Sequence, residues 1–307
     1  MHKIFIDGSA GTTGLRIRER LSQRRDIELM LLPDALRKDP AARRDMLNKS
    51  DISFLCLPDA AAVEAVSLID NPDTVVIDTS TAHRTADGWT YGMPELTGLR
   101  EELTRATRIA NPGCHASGFI ALVRPLVEAG LIKPDAMLSC FSLTGYSGGG
   151  KKMIAEYEAQ DRSPLLDAPR IYALGQAHKH LPEMQKLCGL AHEPVFSPIV
   201  AAYYSGMEVS VTLTRELLSC SLDAIKTAYR DYYRDGMIRY DDSTEGGFIS
   251  AGAFSGRDDM AVAAFGNDDR VTLISRFDNL GKGASGAAIQ NMNIRLGLAE
   301  ATGLVTG

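Results

Sequence analysis

The chain is poor in cysteine and tryptophan, carries no excess of positive charge and has no long apolar run. Its cysteines, Cys56, Cys114, Cys140, Cys188 and Cys220, are odd in number, widely spaced and without a Cys-x-x-Cys pair. That excludes a disulfide framework and a cysteine-based zinc site, and it suits a reducing compartment. A formal net charge of -6 argues against a general binder of nucleic acid or anionic membrane, since both select basic surfaces. No uninterrupted apolar stretch reaches the length of a bilayer span, and Met1 to Asp7 runs straight into a strand without signal-peptide architecture. The expectation is a cytoplasmic protein with small-molecule partners, no nucleic acid, no membrane and no metal. What is present is ordinary: 45% hydrophobic and 23% charged residues over 307 positions, enough for two domains with buried cores.

Lys3 to Asp7 (K-I-F-I-D) reads as a strand, followed by G-S-A-G-T-T-G and then by helical spacing of Leu15, Ile17 and Leu21. Gly8, Gly11 and Gly14, with Thr12 between them, form a variant of the dinucleotide-binding turn, in which backbone N–H groups approach a pyrophosphate at a helix start. Three glycines alone could equally make a plain turn. Further strands at Ile27 to Leu32, Ile52 to Leu57 and Val75 to Asp78 alternate with helices at Arg43 to Asn48 and Ala60 to Ile69, the pattern of a doubly wound parallel (Rossmann-type) sheet. Past the second strand, Asp34 could serve the ribose of NAD, whereas Arg37 and Lys38 could serve the 2′-phosphate of NADP; the reading adopted is NADP. The connection from Asp78 to Leu96 is long and polar, holds Trp89, and offers His83 and Arg84 as site residues.

The central stretch is Ile109 to Phe119, I-A-N-P-G-C-H-A-S-G-F. Asn111-Pro112-Gly113 makes a turn between a strand and a helix extending to about Ala129, which Pro125 should kink. Cys114 thus sits at a helix start, where unbonded N–H groups and partial positive charge favour thiolate. The other reading is a buried cysteine acting as a small hydrophobe.

From Met137 onward strands follow one another without helices between each pair (Met137 to Thr144, Val195 to Tyr204, Met207 to Thr214, Met260 to Phe265, Val271 to Arg276). They imply a second, mixed or antiparallel domain, with helices at Lys151 to Gln160 and Leu222 to Arg234. The expected division is 1–113, completed by a C-terminal helix in 282–307, and 114–281 for catalysis and subunit contact. Tyr229, Tyr232 and Tyr233 read as packing or subunit contact. Gly145 to Lys152 (G-Y-S-G-G-G-K-K) could cradle an oxyanion through its N–H groups and a lysine such as Lys151, but lacks Walker spacing. His178 and His180, two apart in a segment read as extended, lack a third metal ligand and suit acid/base work beside Cys114. The closing stretch, Phe277 to Leu298, enters a tightly packed helix against the first domain, with Asn279 expected at the cofactor.

Taken together, Gly8 to Gly14, Tyr91 to Leu96 (Y-G-M-P-E-L), Asn111 to Cys114, His178 to Glu183 and Asp278 to Asn293 resemble the N-acetyl-γ-glutamyl-phosphate reductase family in its shorter, second form. The resemblance implies NADPH-dependent reduction of N-acetyl-γ-glutamyl phosphate to N-acetylglutamate 5-semialdehyde and phosphate, through a cysteine thioester, in arginine biosynthesis. It puts the family cysteine on Cys114 and the H-R-H-x-P-E motif on His178 to Glu183, with Lys179 in place of the arginine. The longer form's S-G-x-S-G-A-G-R becomes T-G-Y-S-G-G-G-K, Thr144 to Lys151. The reading adopted adds a homodimer or homotetramer, substrate contacts at Arg84, Asn111, Ser147, Lys151 and Glu183, and His178 as first choice for proton transfer with His180 in reserve, a choice that the motif alignment does not make. The alternatives are a related semialdehyde dehydrogenase acting on aspartyl phosphate or a carrier-bound acyl phosphate, and a noncatalytic NADP-binding regulator.

Overall fold

The computed structural model describes residues 1–307, which divide into two compact units: Met1–Pro112 with Ala284–Leu304, and Gly113–Gly283 with Val305–Gly307. Sequence had assigned all of 282–307 to the first unit. The last three residues go with the second because Asp258 exchanges two hydrogen bonds with Val305, donating its N–H to the Val305 carbonyl (2.7 Å) and accepting the Val305 N–H on its carboxylate (2.8 Å).

The first unit runs β1 (His2–Asp7), α1 (Thr12–Leu21), β2 (Ile27–Met30), α2 (Pro40–Lys49), β3 (Ile52–Leu55), α3 (Asp59–Ser67), β4 (Val75–Asp78), β5 (Thr90–Tyr91), α4 (Leu99–Leu103) and β6 (Arg108–Ala110). All six strands are parallel, in the order β2-β1-β3-β4-β6-β5. Alternate residues of a strand face opposite sides, so these strands must be apolar on both. One face packs Ile4, Ile6, Phe54 and Ile77 against Ile17 and Leu21 of α1. The other packs Phe5, Leu55 and Val76 against Leu47, Ala62 and Ala65 of α2 and α3. The chain runs outward from β1 to β2 and returns beyond β1 to β3, so the sheet's switch point lies between β1 and β3 at their carboxyl ends.

The second unit holds α5 (Cys114–Glu128), β7 (Ser139–Gly145), α6 (Gly150–Glu158), β8 (Arg170–Ile171), α7 (Leu181–Cys188), β9 (Val195–Ala201), β10 (Met207–Thr214), α8 (Leu222–Tyr232), β11 (Ile238–Tyr240), β12 (Met260–Asn267) and β13 (Arg270–Phe277). The final helix, α9 (Gly286–Arg295), returns to the first unit, where Ala288, Ile289 and Met292 join the Ile4 core. The second sheet has the order β11-β12-β13-β10-β7-β9-β8 and is mixed, parallel at β11-β12 and β7-β9 and antiparallel elsewhere. Helix α5 lies directly on it: a Cβ on Gly118 would stand 2.8 Å from both Val209 Cβ and Ser275 Oγ.

The expected kink at Pro125 is absorbed in the last turn of α5, which runs as one helix to Glu128. Proline has no N–H for the Ala121 carbonyl four residues earlier. The Tyr233 hydroxyl donates to that carbonyl instead (2.8 Å), and Tyr229 donates to the Leu122 carbonyl (2.7 Å). Tyr229 and Tyr233 are therefore packing residues with a polar task.

Tyr233→Phe should cost about 1–3 kcal/mol in urea denaturation, the scale for orphaning a buried carbonyl. In a Pro125→Ala background, which restores an N–H to Ala121, the same change should cost less than about 1 kcal/mol. Equal costs in both backgrounds would contradict this account of the tyrosine.

Candidate active site

The chain passes into the second unit at Gly113, the N-cap of α5, and Cys114 is the first residue of that helix. The Gly113 N–H donates to Glu183 Oε2 (3.2 Å), while its carbonyl accepts from the Ser117 hydroxyl (3.0 Å) and Ser117 N–H (2.8 Å). Gly283 comes so close that a Cβ there would stand 2.9 Å from Cys114 Cβ, so nothing larger than glycine fits against the cysteine. Cys114 is half-buried at a helix start, where the field favours thiolate. Burial pushes the other four thiols up, Cys56 to about 12. Cys140 and Cys188 are buried and Cys56 and Cys220 half-buried, surroundings that oppose thiolate.

The segment around His178 is not extended as expected. It forms a turn at 178–180 and then α7, with His180 as N-cap and Pro182 in the first turn, where its missing N–H costs nothing. The turn stacks imidazoles at right angles: His178 and His180 lie 4.7 Å apart between ring centroids. The His180 N–H donates to His178 Nδ1 (3.2 Å), and Glu183 Oε1 lies 3.9 Å from His180 Nε2. Glu183, expected at the substrate, is buried and joins the cysteine's turn to His180.

His115 completes the cluster and was not singled out from sequence, although it follows Cys114. Its ring lies 5.7 Å from His178 and 5.5 Å from His180. Nδ1 meets Ser142 Oγ at 2.6 Å on β7, and Nε2 meets the Tyr172 hydroxyl at 2.7 Å. Burial, with help from His178, pulls its pKa down to about 3, so the ring is neutral at physiological pH. Burial also raises the Tyr172 phenol, as does the Cys114 sulfur. The loop carrying Tyr172, His178 and His180 has two non-glycine residues in the left-handed region, Ala173 (φ 52) and Gln176 (φ 51). It is held there by the Gln176 amide, which pairs with both the N–H and the carbonyl of Phe196 at 2.8 Å. A strained loop kept in place by its surroundings is typical of a site.

In the first unit, the glycine loop has the geometry of an anion cradle. Gly8 (φ +87) could not carry a side chain, because a Cβ would fall on the Cys56 carbonyl, and one on Gly14 would stand 2.5 Å from the Gly8 carbonyl oxygen. The loop closes with Gly11 N–H on the Gly8 carbonyl (3.0 Å), and Thr12 begins α1. A dinucleotide pyrophosphate fits such a bare helix start. Asp34 and Arg37 are ion-paired at 2.6 Å, with Lys38 exposed beside them. Arg84 donates to the carbonyls of Asn111 (3.0 Å) and Thr79 (3.2 Å), while Asn111 donates to the Ala284 carbonyl (3.0 Å) and accepts from Asn291 (3.3 Å). Both thus brace the turn before the cysteine. His83 is bound to Asp78 (2.6 Å) and stacked on Trp89.

In the second unit Asn279, expected at the cofactor, accepts from Gly206 N–H (2.9 Å) and donates to Ser147 Oγ (3.0 Å). Ser147 is buried in the glycine-rich turn, and Lys151 is exposed at the start of α6.

Residues 3–106 match the family described as semialdehyde dehydrogenase, NAD binding domain, and 114–279 the semialdehyde dehydrogenase, dimerisation domain. Among similar proteins is N-acetyl-gamma-glutamyl-phosphate reductase 2 of Nostoc sp., 44% identical over 98% of this chain and 99% of its own length. The protein of that name from Pseudomonas putida is 42% identical over 98% of each. Among solved structures, aspartate semialdehyde dehydrogenase II from Vibrio cholerae has the same fold (TM-score 0.73, 17% identity, 96% of this chain and 98% of that one). So does the Candida albicans aspartate semialdehyde dehydrogenase with NADP (TM-score 0.67, 14% identity, 97% and 100%).

The neutral, buried His115 makes stability depend on pH. Its folded pKa of about 3 lies below the ordinary 6.5, so the unfolded chain binds the extra proton between those values. Stability through this residue is fully present above pH 6.5 and falls by about 1.4 kcal/mol per pH unit below it. Urea denaturation of His115→Asn should show a correspondingly shallower acid slope than wild type; identical slopes would contradict the assignment.

Proposed function

The chain belongs to the N-acetyl-γ-glutamyl-phosphate reductase family, and we propose that Cys114, His180, His178 and Glu183 divide its chemistry among them. The enzyme is an NADP-linked oxidoreductase that reduces N-acetyl-γ-glutamyl phosphate to N-acetylglutamate 5-semialdehyde and phosphate, in arginine biosynthesis. Cys114 sulfur attacks the acyl carbon, the bond to phosphate breaks, and a thioester remains. NADPH, when bound, supplies the hydride that converts this thioester to a thiohemiacetal. Collapse of the thiohemiacetal breaks the carbon–sulfur bond, releasing the aldehyde and restoring the thiolate.

One observation carries the assignment of roles: the Glu183 carboxylate accepts from the Gly113 N–H and stands 3.9 Å from the His180 ring. A carboxylate beside His180 stabilises its protonated form, which is what a base accepting the Cys114 proton becomes. His178 accepts a main-chain N–H on Nδ1, so its neutral ring bears the proton on Nε2 and acts as a hydrogen-bond donor. This reading favours His180 over His178 for the proton, the opposite of the preference drawn from sequence. Gly8, Gly11, Thr12 and Gly14 take the pyrophosphate, and Arg37 with Lys38 the 2′-phosphate. The ion pair to Arg37 engages the acid that would otherwise favour NAD. Asn279 and Ser147 shape the turn that presents Lys151 to phosphate, and Arg84 and Asn111 hold the turn of Cys114. The working form is a cytoplasmic homodimer or homotetramer; no helix is long and apolar enough to cross a membrane.

The test is phosphate-dependent reduction of NADP with N-acetylglutamate semialdehyde. Turnover should fall roughly 10²-fold or more in His180→Asn and less in His178→Asn, the scale for losing a positioned acid/base. A greater loss in His178→Asn would return the proton to that residue, and preference for aspartate semialdehyde would overturn the substrate.

A further inference from the structure

Ser142, His115 and Tyr172 form a hydrogen-bonded chain, buried at its Ser142 end, whose Tyr172 hydroxyl feels the Cys114 sulfur, and the reaction as described leaves it unused. Its proton order follows from counting donors. His115 is neutral, so one ring nitrogen donates and the other accepts. The Ser142 hydroxyl is fully buried and has one partner, His115 Nδ1. Were Nδ1 to donate to Ser142, the serine's own proton would be buried with no acceptor, at a cost of about 1–3 kcal/mol. The satisfied order is Ser142 O–H donating to Nδ1 and Nε2–H donating to the Tyr172 oxygen. Tyr172 then accepts one hydrogen bond and keeps its own proton to give.

The hydroxyl lies near the cysteine: the Cys114 sulfur bears on its ionisation, and the Tyr172 ring lies 6.0 Å from His178. The tyrosine main chain is fixed by its N–H on the Pro198 carbonyl (3.0 Å), at the head of the strained loop that Gln176 pins to Phe196. The phenol stays protonated, because burial and the nearby sulfur both oppose its ionisation.

We propose that Tyr172 is a catalytic residue, donating a hydrogen bond to the acyl oxygen as it becomes negative when Cys114 adds, and that Ser142 and His115 are positioning residues that aim this proton. The proposal rests on Cys114 as nucleophile. A neutral donor set in place before the reaction strengthens as charge develops, and losing one such donor costs about 10²-fold or more in rate.

Rapid mixing of the enzyme with N-acetyl-γ-glutamyl phosphate, without NADPH, reads the step directly as a burst of phosphate. Tyr172→Phe should slow the burst roughly 10²-fold, with KM changed only a few-fold. Its Cys114 alkylation by iodoacetamide should stay at the wild-type rate. Ser142→Ala, which removes the hydroxyl that fixes the tautomer, should slow the burst a few-fold, and the double variant should be no slower than Tyr172→Phe. An unchanged burst in Tyr172→Phe, or a loss fully accounted for by slower alkylation, overturns the donor role. Multiplying losses in the double variant overturn the relay. Absence of a burst in wild type would instead overturn the nucleophile itself, which keeps the two failures apart.

Discussion

The hydrogen bond from the Gly113 N–H to the Glu183 carboxylate is the constraint on which the site depends. Glu183 lies in the first turn of α7, which begins at His180, so one carboxylate fixes the start of the nucleophile's helix and the start of the helix led by the histidines. A buried carboxylate is expensive unless its charge is met. Here an N–H lies at one oxygen and an imidazole near the other, so the same side chain spans the cysteine's turn and the histidine's.

Within the first unit, the residues that precede Gly113 in the chain are tied to one another. Asn111 gives its amide to Ala284 and receives from Asn291, Asn291 also donates to the Gly92 carbonyl (2.9 Å), and Arg84 holds the Asn111 carbonyl. These residues were expected to meet substrate. In the chain as it stands Arg84 donates to main-chain carbonyls and Asn111 is held by a carbonyl and by the Asn291 amide, which fixes both residues just ahead of Gly113. Such fixed geometry is what turns a thiol and a base into a nucleophile of defined direction.

What sequence disclosed follows what is local. The glycine loop, the alternation of strands and helices and the cysteine at a helix start are periodic or contiguous features, and the parallel sheet and the placement of α9 follow from them. The mixed sheet was legible in its strands but not in its order, which long-range pairing decides. Pro125 was read as a kink because the hydroxyl that replaces its missing donor comes from Tyr233, far along the chain. His178 and His180 were seen as a pair but in the wrong local conformation, since the Leu-Pro-Glu that follows was not recognised as a helix start. His115 was passed over although it neighbours the cysteine: a histidine in an apolar helix carries no periodic signal, and its partners Ser142 and Tyr172 are brought to it only by the fold.

The central claim is that the acyl group passes through Cys114. Incubating the protein with N-acetyl-γ-glutamyl phosphate in the absence of NADPH, and locating the acyl group by mass spectrometry of the digested chain, tests it most directly. The account predicts about one acyl group per chain on the Cys114 peptide, and none in Cys114→Ser, where a scarcely ionised alcohol replaces the thiolate. An adduct on Cys56, Cys140, Cys188 or Cys220, or sustained turnover by Cys114→Ala, would contradict it.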